Sequence, residues 1–141
     1  MDGFKLVELK EKVEKSRLTI SAKSLKFNRG TARNLGLPSR VCFFINEKRV
    51  QIAIIPAKED DDDGVDFSCK DGSREIPITV REPAILEAVK RMAVLEKDGM
   101  QIKLTVQGVV YLKERTIIYD LTEATEEPVK PRKQRPKRIK G

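Results

Sequence analysis

The sequence predicts an α+β fold that is rich in β-structure, built from two similar halves and a tail. Short runs of alternating apolar and polar residues indicate strands with one buried face. Gly and Pro separate these runs at intervals typical of turns and helix ends. The order strand, helix, strand, turn, strand occurs at 17–56 and again within 65–121. We therefore expect one globular domain over 1–127, with an acidic loop at 58–64 joining the halves and a disordered basic tail at 128–141.

The first half is expected to open with two short strands and a short helix. Residues 18–27 carry apolar side chains on both sides of a polar bend at Ser21–Ser24. Asn28 can cap a helix that runs through Leu35, because its side chain can accept hydrogen bonds from the first unpaired backbone N–H groups. Gly36 is expected to end that helix, since glycine adopts the left-handed conformation without steric cost.

A hairpin completes the first half. Val41–Ile45 is a continuous apolar strand, Asn46–Arg49 is a turn, and apolar residues alternate again from Val50 to Ile54. Natural proteins seldom leave long apolar strand edges unpaired. The hairpin therefore predicts a homodimer whose interface includes it.

The first half resembles the swapped-hairpin domain of the AbrB and SpoVT transcriptional regulators. The similar features are a strand before a short basic helix, the step Leu35-Gly36-Leu37, an apolar strand, and a hairpin return that closes on Pro56. The resemblance implies an interleaved dimer that binds DNA through basic residues of the first strand and helix, and it places Arg33 on that surface. Two positions differ: Lys23-Ser24 stands where the family has Gly-Arg, and Asn28 stands where it has Pro.

The second half repeats the order of elements without clear residue identity. Alternation at 65–69 and 76–80 predicts two strands around an Asp-Gly turn, and Pro77 places the second at an edge or a bulge. A longer helix is expected over 82–96, with Val89 and Met92 buried. Alternation resumes at 102–106, Gly108 interrupts it, and a final apolar hairpin is expected over 109–121 with its turn at 113–115. The two halves could pair with each other or with their counterparts in a second chain.

The charges are unevenly distributed. Residues 1–56 hold 12 Lys and Arg against 5 Asp and Glu, residues 57–127 hold 10 against 17, and the tail holds 7 against none. Such asymmetry favours a surface that faces a polyanion, or internal neutralisation between the halves. The tail has three prolines and too few apolar residues to offset its ordering entropy, so it suits phosphate contacts, an acidic protein surface or a solubilising role.

Several classes of function are disfavoured by what the sequence lacks. With no histidine, the usual base of Ser and Cys nucleophiles is missing, and no Gly-rich phosphate loop occurs. Two cysteines without imidazole do not suggest zinc, and Cys42 and Cys69 are expected to be buried in strands. We expect no enzyme, no cofactor and no metal site. No apolar run approaches the roughly 20 residues of a membrane helix, so a cytoplasmic protein is expected.

Two functions remain. The first is a DNA-binding regulator, with RNA as an alternative ligand, in which basic residues of the first half and tail contact phosphates. The second is a phage or mobile-element protein that inhibits a protein target, such as a CRISPR effector or another nucleic-acid machine, by acidic phosphate mimicry. The nucleic-acid-binding residues predicted for the first function are Lys23, Lys26, Arg29, Arg33, Arg40, Lys130, Arg132, Lys133, Arg135, Lys137, Arg138 and Lys140.

Overall fold

The structure, a computed structural model, describes Gly3, residues 13–67 and residues 78–129. The predicted turn after Cys69 and the seven basic residues of the tail lie outside the described residues. The strands are β1 (Arg17–Ile20), β2 (Leu25–Phe27), β3 (Arg40–Asn46), β4 (Gln51–Pro56), β5 (Val65–Asp66), β6 (Ile78–Val80), β7 (Glu96–Lys97), β8 (Met100–Tyr111), β9 (Thr116–Asp120) and β10 (Thr125–Pro128). The helices are α1 (Arg29–Asn34) and α2 (Pro83–Met92), and a 3₁₀ turn covers Leu121–Glu123.

The strands form one nearly closed antiparallel sheet. Its order is β5-β3-β4-β9-β8-β1-β2-β6, and β7 and β10 also pair with β8. The long strand β8 joins the two parts of the sheet, because residues 104–107 pair with β1 and residues 108–111 pair with β9. The β-rich character of the predicted fold is confirmed.

The two halves exchange strands within one chain. The first strand of the first half, β1, pairs with β8 of the second half, and β5 of the second half pairs with β3 of the first. Between them, β4 pairs with β9. Of the two arrangements that the sequence left open, the structure shows the halves pairing with each other. The edge of β4 is thus covered, and the edge-pairing argument for a homodimer no longer applies there.

The two hairpins follow a local two-fold relation. Each hairpin has a four-residue turn, at 47–50 in the first and 112–115 in the second. The last residue of each turn has a positive φ, which is 55° at Val50 and 46° at Arg115. In the β4–β9 pairing, Ala53 lies opposite Ile118. The sequence separation between these two residues equals that between Val50 and Arg115, so Ala53 and Ile118 occupy equivalent positions in the two halves. The pairing is therefore centred on equivalent positions of the two halves.

The helix ends follow the same reciprocal arrangement. Arg91, in the last turn of α2, donates to Glu47 in the turn of the first hairpin at 3.3 Å. Gly36, after α1, has the predicted positive φ of 81°, and a Cβ there would collide with the guanidinium of Arg115 in the second hairpin's turn. Each helix thus ends against the hairpin turn of the other half.

The core is centred on four aromatic rings. The ring of Phe27 lies 5.1 Å from Phe67, 5.8 Å from Tyr119 and 6.0 Å from Phe43, in tilted or edge-on arrangements that aromatic pairs favour. Phe27, Phe67 and Tyr119 are fully buried. Because these rings come from strands far apart in sequence, their packing ties the two halves together.

The second half differs from its prediction at two points. Helix α2 ends at Met92, not at residue 96, because the chain turns extended at Ala93 and β7 pairs back on β8. Gly108 does not interrupt β8; a Cβ there would approach Ile117 and Tyr119 within 3 Å, so glycine makes room for those side chains. No helix among the described residues is long and apolar enough to span a membrane.

Strand β10 was not predicted, and it includes Pro128, the first residue of the predicted tail. All four of its residues are exposed, so it has no apolar alternation. It is held by backbone pairing with β8 and by two ion pairs, Lys97–Glu126 at 2.7 Å and Lys103–Glu127 at 3.5 Å. Exposed ion pairs contribute little on their own, so the strand depends on the partner edge that β8 offers.

Replacing Tyr119 by Phe is expected to leave the protein as stable as before, or more stable by up to about 1 kcal/mol. The Tyr119 hydroxyl is buried and has no hydrogen-bond partner within the described residues. Burial raises the pKa of this phenol, and the neighbouring Thr31 offsets only part of that effect. Urea unfolding of the two proteins measures the difference. A loss above about 1 kcal/mol would show that the hydroxyl has a partner.

Candidate nucleic-acid interface

The basic residues of the first half gather on the outer side of the β1–β2 hairpin. Leu18 and Ile20 of β1 point into the core and are fully buried. Strand alternation therefore turns Arg17 and Thr19 outward, and Thr19 lies opposite Lys26 of β2. Arg17 and Lys26 are both exposed.

Asn28 fixes the chain on both sides of Ser16. It occupies the N-cap position of α1, as predicted, but its side chain makes no capping hydrogen bond to the helix. Its Oδ1 accepts from the backbone N–H of Arg17 at 2.8 Å, and its Nδ2 donates to the backbone carbonyl of Lys15 at 2.7 Å. The Asn28 side chain therefore fixes the backbone positions from which the side chains of Lys15 and Arg17 project.

Two further contacts hold the same segment against α1. The buried Asn34 accepts from the N–H of Glu14 at 3.0 Å and donates to the carbonyl of Glu14 and the hydroxyl of Ser16. The backbone at Lys15 passes so close to Gly30 that a Cβ added at residue 30 would lie 2.7 Å from the carbonyl oxygen of Lys15. Lys15 and Arg17 were not among the predicted site residues. Strand alternation around Leu18 would have indicated that Arg17 points outward.

Two grooves meet at Arg17 and Asn28. The first has a volume of about 360 Å³ and lies beside the start of α1; the second has about 480 Å³ and follows the β1–β2 hairpin. Together they are lined by six cationic side chains and one acidic side chain, which are Lys15, Arg17, Lys26, Arg29, Arg33, Lys103 and Glu14. This concentration of one sign of charge suits a polyanion.

Only some of these cations are neutralised by carboxylates. Arg33 pairs with Glu14 at 2.7 Å, and Lys103 pairs with Glu127. Within the described part of the chain, Lys15, Arg17, Lys23 and Lys26 form no ion pair. We call Lys15, Arg17, Lys26 and Arg29, which line the two grooves, the basic face.

Arg40 does not belong to the basic face. Its guanidinium donates to the backbone carbonyls of Asp61 at 2.9 Å, Lys58 at 3.0 Å and Glu59 at 3.4 Å. Arg40 lines neither groove. Its role in the structure is to hold the acidic loop, so the predicted set divides. Lys26, Arg29 and Arg33 line the two adjoining grooves, Lys23 is exposed in the turn between β1 and β2 and lines neither, and Arg40 lies elsewhere.

The acidic loop is shaped by local hydrogen bonds and borders a third groove. The carboxylate of Asp61 accepts from the backbone N–H of Lys58 at 2.7 Å. The groove has a volume of about 640 Å³, and its charged lining is mainly acidic: Asp62, Asp63, Asp66, Glu82 and Arg81. The basic and acidic halves of the sequence thus give separate surfaces.

Cys42 lies beside this loop and not in the core, contrary to expectation. Its thiol is half-buried and 3.9 Å from a carboxylate oxygen of Asp61. Burial raises the pKa of the Cys42 thiol, and the carboxylates of Asp61 and Asp63 raise it further, against the opposing charge of Arg40. A thiol kept protonated in this way is a poor nucleophile.

No family model matches the chain, and comparison with curated proteins and with solved structures gives no match either. Within residues 13–67 and 78–129, no three side chains of the metal-binding types converge on one point. The geometry of the basic face is therefore the main guide to function.

Proposed function

We propose that this protein is a non-enzymatic nucleic-acid-binding protein that contacts DNA phosphates through the basic face, as an AbrB-like regulator would. The observation that supports this most is the convergence around two adjoining grooves of Lys15, Arg17 and Lys26, which form no ion pair within the described residues. Each phosphate that such a side chain neutralises releases condensed counterions, which makes binding favourable and salt-dependent.

Duplex is a better ligand for this surface than an unpaired strand. Proteins that bind single strands stack bases on exposed aromatic rings. Phe27 is the aromatic residue of the second groove, and it is fully buried. The basic face therefore offers charge without a stacking platform. Any preference for sequence would come from Arg29 and Arg33 at α1.

The end of the described chain supports a part for the tail in the same contacts. Val129 lines the second groove together with Lys26 and Lys103, and its backbone N–H donates to the carbonyl of Gln101 at 2.8 Å. The seven cations of the tail follow Val129 in the sequence. In the proposed function they add phosphate contacts to those of the basic face.

The test is fluorescence anisotropy with a random duplex over a salt series that starts at about 50 mM, where phosphate contacts are strongest. Arg17→Gln combined with Lys26→Gln should flatten the slope of log K against log salt by about 2, since each lost phosphate contact removes about 0.9. Lys90→Gln combined with Lys113→Gln is the matched control, because both lysines are exposed and lie outside the basic face. Equal effects of the two pairs would contradict the proposed surface.

Removing residues 130–141 should weaken binding to every duplex alike and flatten the salt slope further, while leaving β10 intact. Replacing Arg29 and Arg33 by Ala should instead remove any sequence preference and leave salt-sensitive, non-specific binding by the tail. The same titration with an RNA duplex shows whether the protein prefers DNA or RNA. If the intact protein shows no affinity for either duplex at about 50 mM salt, the proposed function is wrong.

The second candidate function is inhibition of a protein target by a phage or mobile-element protein. The observation that favours it is the acidic groove, where Asp62, Asp63 and Asp66 present carboxylates along one side of the molecule. Spaced carboxylates can take the place of a phosphate track on a nucleic-acid-binding protein. Retention of one protein from a nuclease-treated host lysate, lost after Asp62→Asn and Asp63→Asn, would support this function, and unchanged retention would contradict it.

A further inference from the structure

A second surface lies on the outside of the sheet, where Val109 follows two residues after Gln107, the partner of Arg17 on β8. The register places Phe44 of β3, Ala53 of β4, Ile118 of β9 and Val109 of β8 in one row across four strands. Phe43, the neighbour of Phe44, points inward to the Phe27 ring, so this row points outward. Strand alternation adds Ile55 and Tyr111 to the same face. We call these six residues the outer apolar patch.

The patch is uncovered. Phe44 is 54% exposed, Val109 is 56% exposed and Tyr111 is 46% exposed. None of the six is buried, and none belongs to the partly buried hydrophobic residues that pack on the core. Contiguous apolar patches of this kind mark interaction sites on soluble proteins.

We propose that the outer apolar patch binds a second copy of this chain, with the two sheets packed face to face and their strands aligned. Sheets that pack in this way keep their strand directions within about 30° of each other. Phe44 and Tyr111 alone expose about 100 Å² each, given the 150–250 Å² of an aromatic side chain. The patch can thus supply the apolar centre of a specific interface of roughly 800 Å² per partner, with a polar rim as the remainder.

Charge at the margins of the patch favours a second copy over an unrelated partner. The acidic loop follows β4 at the end of the sheet where β8 turns into β9. That turn, on the opposite side of the patch, carries the exposed Lys113, Glu114 and Arg115, a net charge of +1 against the strongly acidic loop. A two-fold axis parallel to the strands would lay the β3 side of one copy over the β8 side of the other. Each acidic loop would then face the other copy's basic turn, and such complementarity fixes orientation.

The same axis predicts the central contacts. The two-fold axis reverses the order of the row in the second copy. Phe44, at one end of the row, therefore lies against Val109 at the other end of the second copy's row. This interface differs from the edge pairing predicted from the sequence, because β4 is already paired with β9. Its test measures association of the chain and not duplex binding, so failure of the interface and failure of the nucleic-acid function are distinguishable.

Sedimentation equilibrium of the full chain from about 2 to 200 μM, a range that covers weak specific association, tests the proposal. We expect the wild type to dimerise, and Phe44→Lys and Val109→Glu each to weaken dimerisation at least tenfold. Mixing the two variants should restore dimers, because a heterodimer contains one Lys–Glu contact and one Phe44–Val109 contact. Lys90→Glu is the control for an added negative charge. Unchanged circular dichroism spectra would show that the variants are folded.

Three outcomes would overturn the proposal. The wild type could stay monomeric over the whole range, the single variants could dimerise as well as the wild type, or mixing could fail to restore dimers. A chain lacking residues 1–12 tests the alternative occupant of the patch, which is the N-terminal segment of the same chain with its apolar residues Phe4, Leu6, Val7 and Leu9. Dimerisation seen only after that deletion would show that this segment covers the patch, and would contradict the second copy.

Discussion

Replacing Phe27 by Ala is expected to lower the free energy of unfolding by about 3–5 kcal/mol, which is a large part of the 5–15 kcal/mol typical of a domain. Phe27 is fully buried, and its ring contacts Phe43, Phe67 and Tyr119. Removing the ring loses its burial and leaves a cavity among three other rings, which cannot all move to fill it. Urea unfolding followed by circular dichroism measures the change.

Phe44→Ala is the matched control, because it removes the same ring from an exposed position of the sheet. At about 1 μM protein, below the range of the proposed dimerisation, its cost should be within about 0.5 kcal/mol. Equal losses for the two variants would mean that Phe27 is not the centre of the core. Phe27 also lies under the second groove, so a loosened core should weaken duplex binding as well.

Replacing Val89 by Asp is expected to cost about 3–5 kcal/mol, because it places an unpaired carboxylate in the core. Val89 is 1% exposed, as predicted for the apolar face of α2, whereas Met92 is only half-buried. A carboxylate there has two ways to respond: it can remain charged without a partner, or it can become protonated by a raised pKa. In both cases stability falls, and the loss should be larger at pH 8 than at pH 5.

Ala84→Asp is the control for the second prediction. It introduces the same side chain into the same helix, at an exposed position of the first turn. A negative charge near the N-terminus of a helix is neutral or favourable by a few tenths of a kcal/mol. Thermal unfolding of the two variants should therefore differ strongly. Similar melting temperatures would show that the buried face of α2 is wrongly assigned.

The strand and helix positions could be predicted in large part because they depend on local chemistry. Alternation located β4 and β6, since a period of two buries one face of a strand wherever it pairs. Gly36 has a positive φ because a helix end followed by Pro requires a residue without a Cβ penalty. Strand β10 could not be found in this way, because its four exposed residues carry no signal except the edge that accepts them.

The candidate site was predictable only in part, and for a related reason. The composition showed that the first half is basic, and Lys26, Arg29 and Arg33 do line two adjoining grooves. It could not show that Arg40, which has the same charge, would bind the carbonyls of the acidic loop. Side-chain hydrogen bonds of this type join residues about 20 positions apart. Only the folded backbone brings them within 3 Å.

The sequence by itself determined a β-rich chain of two halves, with a basic first half and an acidic second. Only the tertiary structure decided that β1 joins β8, that β3 joins β5 and that the halves therefore close on each other. Strand pairing uses backbone groups that every residue carries, so the choice of partner is not written in any local pattern. Alternation likewise shows that one face of a strand is apolar, but Phe44 and Val109 became an exposed patch because nothing in the described chain covers the other face.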